Sequence, residues 1–419
     1  MYIMLNNIHK TVILLFCLAL LAGCAVTPYS YEPGIQETVE ARAEAQEKGA
    51  FLIRASVPGT DEARELFGIP LENRGIQAVW MEITNNSGRR ARFAPYSVDP
   101  EYFPPHEVAY MYRKKFSKAG WREMEARFSD LSLPRYIEAG ATVSGYVFTH
   151  LREGTKAFNV DVFYTDKAAN YEHFTFFLEV PGFKPDHAEV NFAALYTPDQ
   201  IVEVNTDGLR EQIAGLPCCT VNQAGTDSGQ PIEIFLVGDG HSLLQALLRA
   251  GWDETSSVRD AEYLSATDYF YGRPADAVFK KSRGGSFSTE RNELGIWLTP
   301  IRVEGRGVWA VQVKHAIGRR FEIEERFLGV KLDPDVNEGR NYLLQNLWYS
   351  NSLEQFAWSA TGKRVTETEP VLDFNDNAWF SDGLRLVIWV SGEPVSLQEA
   401  QTVKWDDPSS ALFEEENER

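Results

Sequence analysis

Between positions 76 and 164 apolar side chains repeatedly fall on every second residue, a spacing that an extended strand turns into one buried face. Residues 76–83 set Ile76, Ala78 and Trp80 on one side, Asn85-Asn86-Ser87-Gly88 supplies turn chemistry, and residues 89–93 return. Segments 141–148 and 158–164 repeat the habit, the latter with Phe158, Val160, Val162 and Tyr164 aligned. This pattern predicts a β-sandwich over 51–183. One helix is expected inside it, over 107–119, from Val108, Met111, Tyr112 and Phe116 at helical spacing. Its Arg113, Lys114, Lys115 and Lys118 would suit anionic lipid, but a solvated face is the expectation because the apolar side is needed for the core.

The first residues have the layout of an export signal, with Lys10 as the only formal charge ahead of the apolar run 12–21. A run of about ten residues is half of what a membrane-spanning helix requires. The segment ends in Leu21-Ala22-Gly23-Cys24, which resembles the lipobox of bacterial lipoproteins. That resemblance implies cleavage before Cys24, lipidation of its sulfur, and anchoring by several acyl chains. Ala25 is not the aspartate that retains such lipoproteins at the inner membrane, so the expected place is the outer membrane, facing the periplasm. Positions 1–23 then form the signal peptide and 24–50, polar and holding Pro28 and Pro33, a tether.

An apolar content of 44% with 12% aromatics excludes a disordered chain, and 419 residues suggest two domains. The formal charge of −19 disfavours nucleic acid as a partner, since phosphates would be repelled. Of the four cysteines, Cys17 would leave with the signal and Cys24 would be the anchor. Cys218 and Cys219 remain. Two neighbouring thiols build neither a spaced zinc site nor a disulfide framework, so no metal or cofactor is expected. In an oxidising compartment they form a vicinal disulfide or stay reduced, and both readings stand.

From 184 to 231 Pro, Gly, Asn and Asp clusters interrupt the pattern, and a linker region is expected there. A strand over 232–237, the turn Gly238-Asp239-Gly240 and a helix from 243 to 250 follow, with Ser242 and Gln245 read as a capping box. Strand, Gly-Asp-Gly turn and helix match a phosphate-binding loop only weakly, because neither a third glycine nor a lysine-threonine pair follows. Later strands are predicted at 294–298, 308–313 and 384–390. A second helix begins at Asp333-Pro334-Asp335, with Asp333 as cap. A calcium loop fails there, since Glu338 stands where glycine is required. No Gly-x-Ser-x-Gly elbow and no histidine pair at metal spacing is present. Trp297, Trp309, Trp348 and Trp389 suit core packing better than a sugar-binding face.

Several diffuse motifs in fixed order carry a resemblance over 232–407: Leu236-Val237-Gly238-Asp239, Ala250-Gly251-Trp252, Tyr271-Gly272-Arg273-Pro274 with Asp276 and Phe279, Gly305-Arg306-Gly307-Val308-Trp309, and Asp333-Pro334-Asp335-Val336 with Arg340. This stretch resembles the LssY-like C-terminal domain family. Two departures stand out. The family pattern has a histidine and basic cluster near 291–297 and a histidine before the aspartate-proline pair; here Arg291-Asn292-Glu293-Leu294 and Lys331-Leu332 occupy those places. The resemblance implies envelope work and no particular reaction.

The overall expectation is an α+β chain: an N-terminal β-sandwich, an α+β LssY-like domain and an acidic tail over 408–419. Its expected role is non-enzymatic binding or assembly at the envelope, with a protein or glycan partner and the membrane held through lipid. The alternative is a hydrolase of an envelope phosphoester or glycan. Arg273, Asp276, Asp333, Asp335 and Arg340 are expected to form one buried charge network that organises the second domain.

Overall fold

The alternating segment at 76–83 lies within a longer strand whose two faces are both covered. The computed structural model describes residues 28–165, 170–256, 264–265, 267–282, 290–321 and 328–406. The proposed signal peptide, Cys24 and the acidic tail lie outside these residues. The chain divides into two units: positions up to His150 together with Val160–Phe174, and Leu151–Asn159 together with everything from Thr175 onward.

The first unit runs α1 (Ile35–Ala41), β1 (Glu44–Lys48), β2 (Phe51–Ser56), α2 (Thr60–Phe67), β3 (Ile76–Asn85), β4 (Ala91–Ala94), α3 (Pro105–Tyr112), α4 (Lys118–Asp130), β5 (Tyr136–Ile137) and β6 (Thr142–His150); β7 (Lys156–Tyr164) and β8 (Tyr171–Leu178) give residues to both units. Two four-stranded sheets form, ordered β1-β2-β3-β6 and β5-β4-β7-β8. Ile76, Ala78 and Trp80 of β3, with Tyr146 and Phe148 of β6, pack under helices α2, α3 and α4. Phe67 sits at the centre of this layer, its ring 5.1 Å from Tyr146, 5.3 Å from Phe148 and 5.2 Å from Phe128. The odd-numbered face of β3 carries buried Val79, Met81 and Ile83 beside Phe51 and Ile53, and Phe51 meets Tyr164 of β7 at 5.4 Å. The sandwich therefore has a helical layer on one outer face, which strand periodicity alone does not announce.

Two expectations change here. Positions 28–50 do not form a free tether: Tyr29 and Val39 are buried, the Tyr29 hydroxyl donates to Phe67 O (2.9 Å), and β1 pairs antiparallel with β2. The signal was weak because β1, Glu-Ala-Gln-Glu-Lys, is an edge strand held by backbone bonds, and α1 buries only Val39. Gly68 shows how closely the segment is seated, since a Cβ there would lie 2.1 Å from Ser30 O. The single helix expected at 107–119 is two. A short 3-10 turn, Arg113–Lys115, ends α3, and Ser117 restarts the chain as the N-cap of α4 by accepting from Gly120 N (3.0 Å).

The second unit contains β9 (Val202–Val204), α5 (Thr206–Ala214), β10 (Cys219–Val221), β11 (Ser228–Pro231), β12 (Ile234–Val237), α6 (Gly240–Arg249), β13 (Asp253–Glu254), β14 (Tyr269–Phe270), β15 (Arg273–Pro274), β16 (Ala277–Ser282), β17 (Arg291–Val303), β18 (Arg306–Phe321), β19 (Leu328–Leu332), α7 (Val336–Tyr349), β20 (Leu353–Ser359), β21 (Val371–Leu372), β22 (Ala378–Trp379), β23 (Arg385–Val390) and β24 (Gln401–Val403). Ten strands make one sheet in the order β13-β16-β17-β18-β12-β23-β20-β24, with β19 added to β18 and β9 to β17. Strands β17 and β18 form a long antiparallel hairpin, whereas β12 runs parallel to β23. One face packs Ile234, Leu236, Ile296, Val311 and Ile388 against Leu243 and Leu247 of α6 and Leu343 and Leu347 of α7. The other packs Phe235, Trp297, Ala310, Val387 and Trp389 against Leu209 and Ile213 of α5.

Residues 184–231 are accordingly built into this unit and do not form a linker. Helix α5 offers only Leu209 and Ile213 to the core, so its apolar pattern is thin and its order comes from the sheet it covers. Trp297, Trp309 and Trp389 are buried as core residues, while Trp348 lies half-buried on α7 and not on a strand. The architecture is α+β, with mixed sheets and helices set against them.

Candidate functional site

The chain turns from strand β12 into helix α6 through Gly238 and Asp239, and this turn floors a pocket of about 560 Å³ within the second unit. Its walls are mainly apolar: Phe192, Leu243, Leu244, Phe279, Leu298 and Trp309. Close backbone approach explains the glycines. Gly238 N donates to Gly307 O (3.0 Å), the Trp309 indole donates to Gly238 O (3.0 Å), and a Cβ on Gly238 would lie 2.7 Å from Val390 Cγ2.

Of the polar side chains at this pocket, Asp239, Arg302, His187 and Trp309 have partners, and His241 is exposed. Asp239 is the N-cap of α6, accepting from Ser242 N (2.9 Å) and Ser242 Oγ (2.7 Å), and those bonds hold its carboxyl below the usual range. The cap is thus Asp239, not Ser242 with Gln245, because the helix begins three residues earlier than its leucine stripe. An ionised carboxylate takes the amides that a phosphate would need, so the turn does not serve as a phosphate loop. Arg302 donates to Thr299 O (2.8 Å) and Ile301 O (2.9 Å), and burial lowers its guanidinium from the ordinary value. His187 Nε2 faces Glu254 Oε1 at 2.7 Å. Burial alone would raise Glu254, yet hydrogen bonds from His187 and from Thr155 N (2.7 Å) outweigh it and keep the carboxyl below its usual range.

The five residues expected to make one charge network fall into separate places. Arg273 donates in bidentate fashion to Asp276 (2.8 and 2.9 Å) and also to Leu298 O (2.6 Å) and Tyr196 Oη (3.0 Å). Arg340 pairs in the same fashion with Asp382 (2.8 and 2.7 Å), donates to Leu384 O (2.6 Å), and approaches Glu233 at 3.4 Å. Asp335, not Asp333, caps α7 through Asn337 N (3.0 Å), because Pro334 precedes the first helical residue. Asp333 lies 3.5 Å from the His315 ring and accepts from Asp335 N (3.1 Å). Among the described residues the two arginine groups share no hydrogen-bonding partner. Charge counting along a sequence shows that acids and bases are present, not which sheet face each will reach.

Sequence reasoning missed Glu233, Asp382, Lys314 and Asp268. Glu233 is buried, accepts from Ser381 Oγ, and is pushed up to about 7 by burial, with Arg340 acting against that rise. Lys314 and Asp268 form a buried ion pair, with Thr220 Oγ1 donating to the same carboxylate (2.6 Å). Cys218 and Cys219 are joined as a disulfide between neighbours, and Arg385 donates to the carbonyls of Ile213, Leu216 and Pro217 just before it. Among the described residues no group of three or more His, Cys, Asp or Glu is placed to hold a metal ion.

Fold and pocket together define a two-unit α+β protein whose second unit carries a mainly apolar pocket at a strand-to-helix turn. Residues 213–384 of that unit match the family model described as LssY C-terminus, so the chain carries an LssY-like C-terminal domain. The match contains the Gly238–Asp239 turn, Arg302 and Trp309, while His187 and Phe192 lie ahead of it. Asn292 is buried and stands across the hairpin from His315, and Lys331 lies on β19. No curated protein is similar enough to the chain to register as a match.

Proposed function

We propose that this chain is a lipid-anchored envelope protein whose LssY-like domain binds an apolar or amphipathic small molecule and does no chemistry on it. The observation that carries the binding role is the pocket of about 560 Å³ with its apolar walls, a size and lining suited to a small ligand. Asp239 and Trp309 support binding over catalysis, since the Asp239 carboxylate caps α6 and the Trp309 indole donates to Gly238 O. The lipid anchor rests on the lipobox at 21–24, and Ala25 directs it to the outer membrane, facing the periplasm. A protein or glycan of the envelope would be the source of the ligand or the partner in assembly.

The test of the pocket uses a neutral, environment-sensitive naphthyl dye. The parent protein is expected to bind it with a fluorescence gain, and Leu244→Trp, which adds bulk at a half-buried wall position, should weaken binding roughly tenfold. Unchanged affinity in a variant that melts like the parent would overturn the assignment.

One observation favours a second reading, in which the same pocket hydrolyses an envelope phosphoester. His187, fixed by the ionised Glu254, is oriented as a general base would be. Among the described residues the pocket walls contain no serine, threonine or cysteine, and in this reading His187 activates water as the nucleophile. Turnover of a naphthyl phosphodiester by the parent, lost in His187→Ala while dye binding persists, would replace the binding role with this one.

The anchor has its own measurement. Metabolic labelling with a fatty-acid analogue should mark the native chain, and Cys24→Ser should remove the label entirely. Label persisting in that variant would show that the acyl chains sit elsewhere.

A further inference from the structure

We propose that the basic turn joining α3 to α4 lays the first unit against an anionic lipid surface. Arg113, Lys114, Lys115, Lys118 and Arg122 follow one another around the end of α3 and the start of α4. Lys114, Lys115, Lys118 and Arg122 are exposed, and among the described residues none of them has an acidic partner. The segment 89–135 holds ten basic and six acidic residues in a chain whose formal charge is −19, so the positive charge is concentrated and not an echo of composition.

Helix stability does not account for the whole cluster. Cations at 113–115 suit the negative end of α3. Lys118 stands at the first position of α4, against the positive end of that helix, and α4 has no acid in its first turn, whereas α2 has Asp61 and Glu62 and α5 has Asp207. Beside the turn Tyr110 is 54% exposed, and Arg113 lies 3.6 Å from its ring. An aromatic ring with an exposed edge among cations is the composition of an interfacial contact.

The path of the chain points the same way, and here the proposal rests on the lipid-anchor reading. Tyr29 packs edge-on against Phe116 at 5.6 Å, and a Cβ on Gly120 would lie 3.2 Å from Tyr29 N, a tight contact. The polypeptide therefore enters the fold over the basic turn itself. Four residues separate Tyr29 from Cys24, and the five steps between them reach at most about 18 Å when extended. A lipid at Cys24 would bring the membrane within that distance of Tyr29, which packs on Phe116 in the basic turn, and acyl chains plus a polybasic patch are the two signals that make attachment stable.

The test uses the unlipidated full-length Cys24→Ser protein and sedimentation with vesicles of phosphatidylcholine alone or mixed with phosphatidylglycerol. Binding is expected to favour the mixed vesicles and to fall as salt rises, because each basic residue near an anionic surface is worth about fivefold in partition. The triple variant Lys114→Glu, Lys115→Glu, Lys118→Glu should lose at least roughly tenfold of that binding, and the Lys→Gln triple a smaller share, both with the parent's melting temperature. Equal binding of the parent to both vesicle types, or an undiminished preference in both triples, would overturn the proposal. So would a basic turn that binds single-stranded DNA and ignores the vesicles. The comparison reads charge alone, because parent and variants share the same apolar leader. A failure of the Cys24 labelling would remove the anchor without touching this result.

Discussion

Arg340→Ala is expected to destabilise the protein by about 3 kcal/mol in urea denaturation at neutral pH, because it removes the cation from buried Glu233 and half-buried Asp382. Arg340 is 2% exposed and ties α7 to the segment before β23 through Asp382 and Leu384 O, and to the start of β12 through Glu233. Asp382 is the stronger partner at 2.7 and 2.8 Å; Glu233, at 3.4 Å, is the one left poorly neutralised. Burial raises Glu233 from 4.5 to about 7, which fixes a sign for pH. The folded state holds this proton more tightly than the unfolded chain does. The stabilisation linked to Glu233 is therefore fully present below about pH 4.5 and is lost as pH rises through about 7. Glu233→Gln should flatten the fall of stability between those values while other pH dependence stays. Parallel stability curves for parent and variant across that window would refute the assignment.

Asp276→Ala should cost about 3 kcal/mol, and its effect should add to that of Arg340→Ala within about 0.5 kcal/mol. The carboxylate of Asp276 does two things. It neutralises Arg273, and it accepts from Leu298 N (2.6 Å) inside the sheet, so its removal leaves both a half-buried cation and a buried N–H unsatisfied. Additivity follows because Arg273 and Asp276 gather around Tyr196 and Leu298, whereas Arg340 gathers around Glu233, Asp382 and Leu384. A double variant clearly less destabilised than the sum would mean that the two groups act as one network. Stability nearly unchanged in Asp276→Ala would move this residue from structure toward a ligand-binding role.

Both clusters illustrate why paired charges resist reading from a chain. Arg273 and Asp276 are three residues apart, and their proximity is local; Arg340 and Asp382 are brought together only because α7 lies over the sheet next to β23. The pocket has the same origin. Gly238, Asp239 and Gly240 stood out as a strand-to-helix turn, but Phe192, Arg302 and Trp309 reach it from other parts of the unit, and His187 is oriented by a glutamate 67 residues further on.

What the sequence alone determined was local and periodic. The apolar alternation at 76–83 and 158–164, the leucine stripe of α6 and the motifs spread over 232–407 are set by neighbouring residues, and the corresponding strands, helix and domain match are present. Tertiary structure decided the elements whose own pattern is thin. Strand β1 is polar and α5 offers two apolar residues, yet both are ordered because a sheet edge and a sheet face were there to receive them. The same holds for charge: composition sets the net −19, while packing determines that Glu233 is buried, that Arg340 turns to Asp382, and that the lysines of the α3–α4 turn stay exposed. Burial and partner choice depend on residues distant in the chain, and a local pattern carries no information about them.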